Sequence, residues 1–549
     1  MPEKIVHWAD QIANEVKERV ENDEVLKKTA RKLGYIVLDE KTPSGVIHIG
    51  SGRGWVIHDA IAKAMRDAGM KGRFILSSDD IDPMDKLPAY LDKKFQKYMG
   101  MPFRNIPSPV EGYDSYADYY FMQCVEKFEE WGINAEIEST GKLYESGKFN
   151  AEIKEILDNS ERVKTIFERI YGKPYDKLPF NAICEKCGRI GTTLASKWDR
   201  KNEVVSYKCE ENAVEWAKGC GHEGDISPYN GNGKLPWKVE WAAKWRSLGV
   251  VCELGGKDHF TKKGSREVSV AISNEVLDYP PPYPSTRSSI GQGYEFFTIS
   301  GKKMSTSKGQ GVGFAEISNI LPPRILRYLL VRTRIHAVVD FDPYRANDLI
   351  LLFDRFDATE RIYFGKEKLE NETDLENQKR IYELSHIKEL PEKMPVQIPL
   401  SLAGMVIQVG FNEEGAIKIL QDTGHLPKDL SGIDQHYVME RLHDARNWIE
   451  HFATDDYKFI LQKELPAGLK LSEDVKSALG EIPKLLKESK DEKELHNKFY
   501  ELCQEHNIEV KDFFKGAYNI LLNRDKGPRL AAFLMAVGHR RVSELFGKI

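Results

Sequence analysis

Two short apolar runs flank a glycine-rich loop near the start of the chain, and together they restrict the fold more than any other stretch. "YIVLD", residues 35–39, has the length of a strand and leads into "TPSGVIHIGSGRGW", residues 42–55. From about residue 52 to 67 the spacing turns helical. Ile57, Ala60, Ile61, Ala64 and Met65 share an apolar face, with His58, Asp59, Lys63 and Arg66 off it. "RFILSS", residues 73–78, is a second strand and ends in the acidic turn "DDIDP". Strand, loop, helix and strand in this order predict a βαβ unit with a parallel sheet. Ligands of such sheets bind beyond the carboxyl ends of the strands. The 42–51 loop and Asp79, Asp80 and Asp82 fall there.

A second α/β segment is expected over 235–299. It contains "VVCELGGKDH", a strand running into a Gly-Gly turn, and "YEFFTI", a further strand. Before it lies an insertion with most of the cysteines. After about residue 342 helical spacing takes over, in 349–364, 401–409, 413–420, 435–452 and 512–523, with a charged, proline-containing connector over 366–399. The N-terminal spacing of Ile5, Trp8, Ile12, Val16 and Val20 predicts a surface helix. A chain of 549 residues has room for several domains. No apolar run approaches the roughly 20 residues of a membrane span, and the charged N-terminus is no signal peptide. The net charge of −5 gives no global basic signature, so any nucleic acid must meet local patches such as 511–549, which holds eight Lys/Arg against three Asp/Glu.

The glycines of "GSGRG" do not form a dinucleotide fingerprint, because Trp55 stands where the third glycine is required, and no P-loop occurs. What remains is a glycine-rich loop feeding a helix N-terminus, where free N–H groups and the helix dipole favour an anion. His48 stands at that point, able to donate to a phosphate oxygen. A second loop, "ISGKKMSTSKGQGVG" over 299–313, carries mobile lysines suited to charge developing on a transferring phosphate. Either loop alone says little; two of them, each behind a strand of an α/β half, point to phosphoryl chemistry.

Of seven cysteines, Cys124, Cys252 and Cys503 are isolated and expected to be buried thiols. Cys184, Cys187, Cys209 and Cys220 cluster, which suggests a reducing cytoplasm and a metal rather than disulfides. The Cys-x-x-Cys-Gly knuckle aims two thiolates at one ion, and a closed thiolate set means structural zinc. Cys₄ is the first choice, with His222 replacing one thiolate as the alternative.

"HIGS" and "KMSTS" resemble the two signature motifs of class I aminoacyl-tRNA synthetases. The wider context, "TPSGVIHIGSGR", "DDIDPMDKLP", "CEKCGR", "GKDH", "YEFF", "KKMSTSKG" and "KGPRLAAFL", is similar to the class I lysyl-tRNA synthetase family. The chain departs from the pattern at Ser51, where the class more often has histidine, and at Thr306, where it has lysine; Lys308 follows two residues later.

The resemblance implies a split Rossmann-like parallel-sheet catalytic domain with a zinc-binding insertion, then an all-α C-terminal domain. It divides the chain into 1–140 (first half), 141–234 (insertion), 235–345 (second half with the lysine loop) and 346–549 (helical, anticodon-binding). It implies activation of lysine by ATP and transfer to tRNA, with ATP, Mg²⁺ and structural Zn²⁺ as cofactors. The expected partners are lysine, ATP and tRNA, with no membrane.

His48, Lys303 and Lys308 are the expected catalytic residues. Gly50, Ser51, Gly256, Asp258, Met304, Ser305 and Ser307 are expected at ATP, and Thr42 with them, near the α-amino end of the amino acid. Lysine needs a carboxylate and an aromatic face. Glu240 and Tyr294 are the first candidates, then Trp237 and His259, with Asp79 and Asp80 at the α-amino group or the tRNA end, unless these merely cap the next helix. Trp241 and Trp245 are left to packing. Three other readings stay open: a class I synthetase for another amino acid, glutamate above all; a nucleotidyltransferase sharing the histidine motif; and a zinc-containing RNA-binding paralogue.

Overall fold

A computed structural model describes residues 6–284, 292–303, 312–345 and 347–549. The chain forms two compact units. The first comprises 1–319, 326–341 and 369–390; the second comprises 320–325, 342–368 and 391–549.

The first unit is built on a four-stranded sheet. Strands β1 (Tyr35–Lys41), β2 (Gly72–Ser78), β3 (Ala135–Ser139) and β4 (Val250–Cys252) lie in the order β3-β2-β1-β4, all parallel. β1 pairs with β2 from Tyr35↔Gly72 to Lys41↔Ser78. Ile36, Val37 and Leu38 are buried, as a strand covered on both faces requires. Helix α1 (Trp8–Glu21) buries Ile12, Val16 and Val20, the spacing seen in the sequence.

Helix α2 (Ile49–Asp67) begins three residues earlier than its spacing suggests, which makes His48 its N-cap. It is also buried nearly all round, so the single apolar face read from the sequence is too narrow. His58 and Asp59 are interior residues with partners far along the chain. The His58 Nε2 accepts from the Leu254 amide at 3.1 Å, and Asp59 pairs with Arg327 at 2.6 Å.

The expected second half differs in one respect. "YEFFTI" supplies a strand only at Phe297–Ile299, in a separate small sheet with Lys302–Lys303 and Val339–Asp340. Tyr294 bridges Gly256 instead, through Tyr294 N–H to the Gly255 carbonyl (2.9 Å) and Lys257 N–H to the Tyr294 carbonyl (3.0 Å). The segment thus pairs with the turn after β4 rather than extending the main sheet. Helix α3 (Trp237–Leu248) precedes β4.

The charged connector is not all loop. It contains helix α4 (Glu372–Ser385), which belongs to the first unit, where Arg380 pairs with Asp10 at 2.8 Å and Asp67 at 2.9 Å. In the second unit the described regular elements are helices, among them Asp348–Tyr363, Leu400–Gly410 and Gly432–His451. Buried Arg441 crosses its core to hold both oxygens of Asp357, at 2.6 and 2.9 Å.

Candidate active site and metal centre

The loop after β1 turns sharply to deliver His48. Gly45 has φ +155°, and a β-carbon there would lie 2.4 Å from the Tyr90 hydroxyl, which itself accepts from the Val46 amide at 2.7 Å. Beyond the turn, the backbone pairs with the segment that follows the lysine loop. Ile49 N–H donates to Val312 and Phe314 N–H to Ile47, at 3.0 and 2.8 Å, around an antiparallel His48↔Gly313 bridge. These hydrogen bonds tie the two loops, about 250 residues apart in the sequence, to one place.

A cavity of about 260 Å³ opens beyond the carboxyl ends of β1 and β4. His48, Gly50 and Ser51 enter it from the start of α2, Gly256, Asp258 and His259 from the turn after β4, and Tyr294 from the bridged segment. The His259 ring stands edge-on to Trp237 and Trp241, both with ring centroids 5.8 Å away. Trp237, half exposed, therefore reaches the site through His259, while Trp241 and Trp245 are buried and donate to Glu253. The backbone of Lys303 pairs with Thr298. Its side chain, and Met304, Ser305, Ser307 and Lys308, lie outside the described residues.

Four other expected site residues are not among those that line this cavity and have partners within the protein. Glu240 is 2 % exposed and already neutralised from within the protein. It accepts from Tyr144 Oη at 2.7 Å and faces Lys234 at 3.1 Å and Lys244 at 3.5 Å. Asp79 pairs with the same Lys244 at 2.5 Å and accepts from Thr140 at 3.1 Å. Asp80 accepts from Ser139 Oγ and the Gly141 amide, so it caps the helix after β3. Thr42 donates to Asp82 at 3.1 Å, and Asp82 pairs with Lys234. Burial opposes the charge on Lys234, but Asp82, Glu240 and Asp79 outweigh it and raise its pKa. Burial likewise raises the pKa of Glu240, against the pull of Lys234 and Lys244.

The sequence reading missed the charged end of β1. Asp39, Glu40 and Lys41 all line the cavity, as do Trp55 and Glu295. A signal was present: "DEK" closes an otherwise apolar buried strand, directly before the loop.

The cysteines converge as expected. The Sγ atoms of Cys184, Cys187, Cys209 and Cys220 lie within 4.8 Å of one another, with Cys184–Cys220 at 3.6 Å and Cys187–Cys209 at 3.7 Å. A tetrahedron with Zn–S bonds of about 2.3 Å has sulfur–sulfur edges of about 3.8 Å, so the four fit one zinc ion. Gly188 (φ +73°) closes the knuckle, with its N–H on the Cys184 carbonyl at 2.8 Å. The Cys220 amide and Thr192 hydroxyl lie 3.3 and 3.2 Å from Cys209 Sγ, the support a thiolate ligand needs. His222 is outside the group: its ring stands by Tyr207 and Glu185. Cys124, Cys252 and Cys503 are buried.

Among known proteins, the family model described as tRNA synthetases class I (K) matches residues 6–388. A lysine--tRNA ligase from Methanosphaera stadtmanae is 31% identical over 545 residues, covering 97% of each chain. One from Methanocaldococcus jannaschii is 32% identical over 555 residues, covering 97% of this chain and 98% of its own. One from Thermococcus kodakarensis is 32% identical, covering 98% of both. On this full-length likeness, the chain belongs to the class I (K) family of tRNA synthetases.

Proposed function

We propose that this chain is a lysine--tRNA ligase that activates lysine with ATP to lysyl-adenylate and pyrophosphate, then passes the lysyl group to the 3′ end of its tRNA. The observation that carries this reading is the meeting of the two loops at the end of β1, with His48 bridged to Gly313 beside the turn holding Gly256 and Asp258.

Attack of the lysine carboxylate on the α-phosphate builds negative charge on the phosphoryl oxygens, so the protein's task is positioning and electrostatics. His48, at the N-terminus of a 19-residue helix, donates to a phosphate oxygen where the helix dipole already favours negative charge. Gly50 leaves room for the nucleotide and Ser51 lies beside it. Lys303 and Lys308 supply positive charge to the phosphates, and Met304, Ser305 and Ser307, from the same stretch of sequence, serve ATP with them. Gly256 and Asp258 take the ribose, and His259 with Trp237 forms the aromatic wall for the amino acid. Magnesium accompanies the phosphates. No covalent enzyme intermediate is needed.

The four cysteines hold zinc as a closed structural centre, and the helical second unit reads the anticodon. Affinity for tRNA then falls with salt, because phosphate contacts release counterions.

Pyrophosphate exchange into ATP, run with each amino acid in the presence and absence of tRNA, tests the reading. Exchange dependent on lysine alone is expected. Exchange with glutamate, or no exchange with any amino acid even when tRNA is present, overturns it.

A further inference from the structure

We propose that Asp39 is the carboxylate that receives the ε-ammonium of lysine, with the Tyr294 hydroxyl beside it. The assignment rests on the lysine-activating reading and deepens it.

The period of two along β1 separates its acidic residues. Glu40 faces α3, where Lys244 Nζ lies 3.0 Å from its carboxylate. Asp39 faces α2, where its Oδ2 lies 3.3 Å from His58 Nδ1. Four carboxylates line the cavity. Glu40 is met by Lys244, Glu295 by Lys257 at 2.7 Å, and Asp258 stands exposed at the rim. Asp39, its side chain 14% exposed, makes no ion pair with a lysine or arginine among the described residues, although Lys41 lines the same cavity.

His58 does not discharge it. The Leu254 amide can only donate, so the His58 Nε2 that receives it carries no proton. The ring is then the neutral tautomer, with its one proton on Nδ1, directed at the Gly54 carbonyl (2.7 Å) and at Asp39. Burial works against a second proton on His58; Asp39 first, then the Gly54 carbonyl and Glu253, work for it, and the net shift is upward. Taking that proton would break the Leu254 hydrogen bond.

Gly54 shows how close the two proposed recognition groups are. A β-carbon on it would lie 2.6 Å from Tyr294 Oη and 2.8 Å from Asp39 Oδ2. Both oxygens therefore sit against the same buried glycine of α2, and both residues line the cavity. Burial first, then Asp39, holds the Tyr294 phenol well above its ordinary pKa, so it stays protonated. A mostly buried carboxylate without a cation is costly, and an ammonium with three N–H donors satisfies it and the phenol oxygen together. A glutamate side chain would meet Asp39 as a like charge.

The test is exchange kinetics, with tRNA present, on wild type and Asp39→Asn, with norleucine as a competitor lacking the ε-ammonium. For Asp39→Asn, the KM for lysine should rise about 30- to 100-fold, the loss expected for a hydrogen bond to a charged group. The KM for ATP and the inhibition constant of norleucine should stay unchanged. An unchanged lysine KM, or equal weakening of lysine and norleucine, overturns the assignment while leaving lysine activation intact. A wild type without lysine-dependent exchange removes both. If circular dichroism shows the Asn variant unfolded, Tyr294→Phe decides. It should raise the lysine KM about tenfold without altering norleucine, and an unchanged lysine KM overturns the proposal.

Discussion

Gly52 lies against the ring of Phe314 so closely that a β-carbon would come within 2.6 Å of Cδ2 and Cε2. Phe314 is itself wedged between Trp55 and Trp131, with ring centroids 4.9 and 4.8 Å away, and follows the residues bridged to His48. The glycine after the histidine motif thus lets the far loop dock. Gly52→Ala should destabilise the chain by about 1–2 kcal/mol through overpacking and slow adenylate formation more than it weakens ATP binding. Urea unfolding with exchange kinetics checks both.

Lys303→Ala should lower the rate of adenylate formation about 100-fold, as loss of one group stabilising transition-state charge does, with little loss of tRNA binding. Single-turnover activation and a filter-binding titration separate the two. A comparable loss of tRNA affinity would give the loop another role.

One zinc should accompany each chain, and Cys184→Ser should release it, because three thiolates cannot close a tetrahedral structural site. Metal analysis of both proteins after dialysis reads this directly. A wild type purified without zinc would refute it.

His7 supplies a pH signature. It is 2% exposed, its Nδ1 accepts from the Ala9 amide at 3.2 Å and its Nε2 donates to Val331 at 3.1 Å, so both ring nitrogens suit the neutral form. Burial lowers its pKa to about 4 from 6.5. Between those values the unfolded chain binds the extra proton and the folded one does not. Stability from this group is therefore complete above pH 6.5 and is lost as pH falls towards 4, at about 1.4 kcal/mol per pH unit. His7→Asn should be flatter across that window. Parallel wild-type and variant slopes in urea unfolding would show that His7 does not titrate this way.

What could be read from sequence follows from how local each signal is. The strands at Tyr35 and Arg73 announced themselves because a doubly covered parallel strand is a continuous apolar run. The zinc knuckle did so because Cys184 and Cys187 need only three residues and a glycine. Asp59 did not, because its partner Arg327 is 268 residues away. The surroundings of Glu240 were hidden in part for the same reason, since Tyr144, which donates to it, is 96 residues away; Lys234 joins it from a two-residue strand without periodicity, although Lys244, one turn on, was visible. Helix α4 was hidden by a composition so charged that it read as a linker, and Arg380 shows that its anchor is an ion-pair cluster rather than an apolar stripe.

That helix has a consequence for the chain as a covalent object. Residues 342–368 and those from 391 onward belong to the second unit, while α4 between them belongs to the first. The polypeptide is interleaved, and no single cleavage separates two intact folding units. A truncated chain ending at residue 345 would keep every strand of the main sheet yet lose Arg380, leaving Asp10 and Asp67 without that partner. Evolutionary exchange of the helical half therefore requires more than joining two segments end to end. In folding, the first unit is complete only after the ribosome has already begun the second.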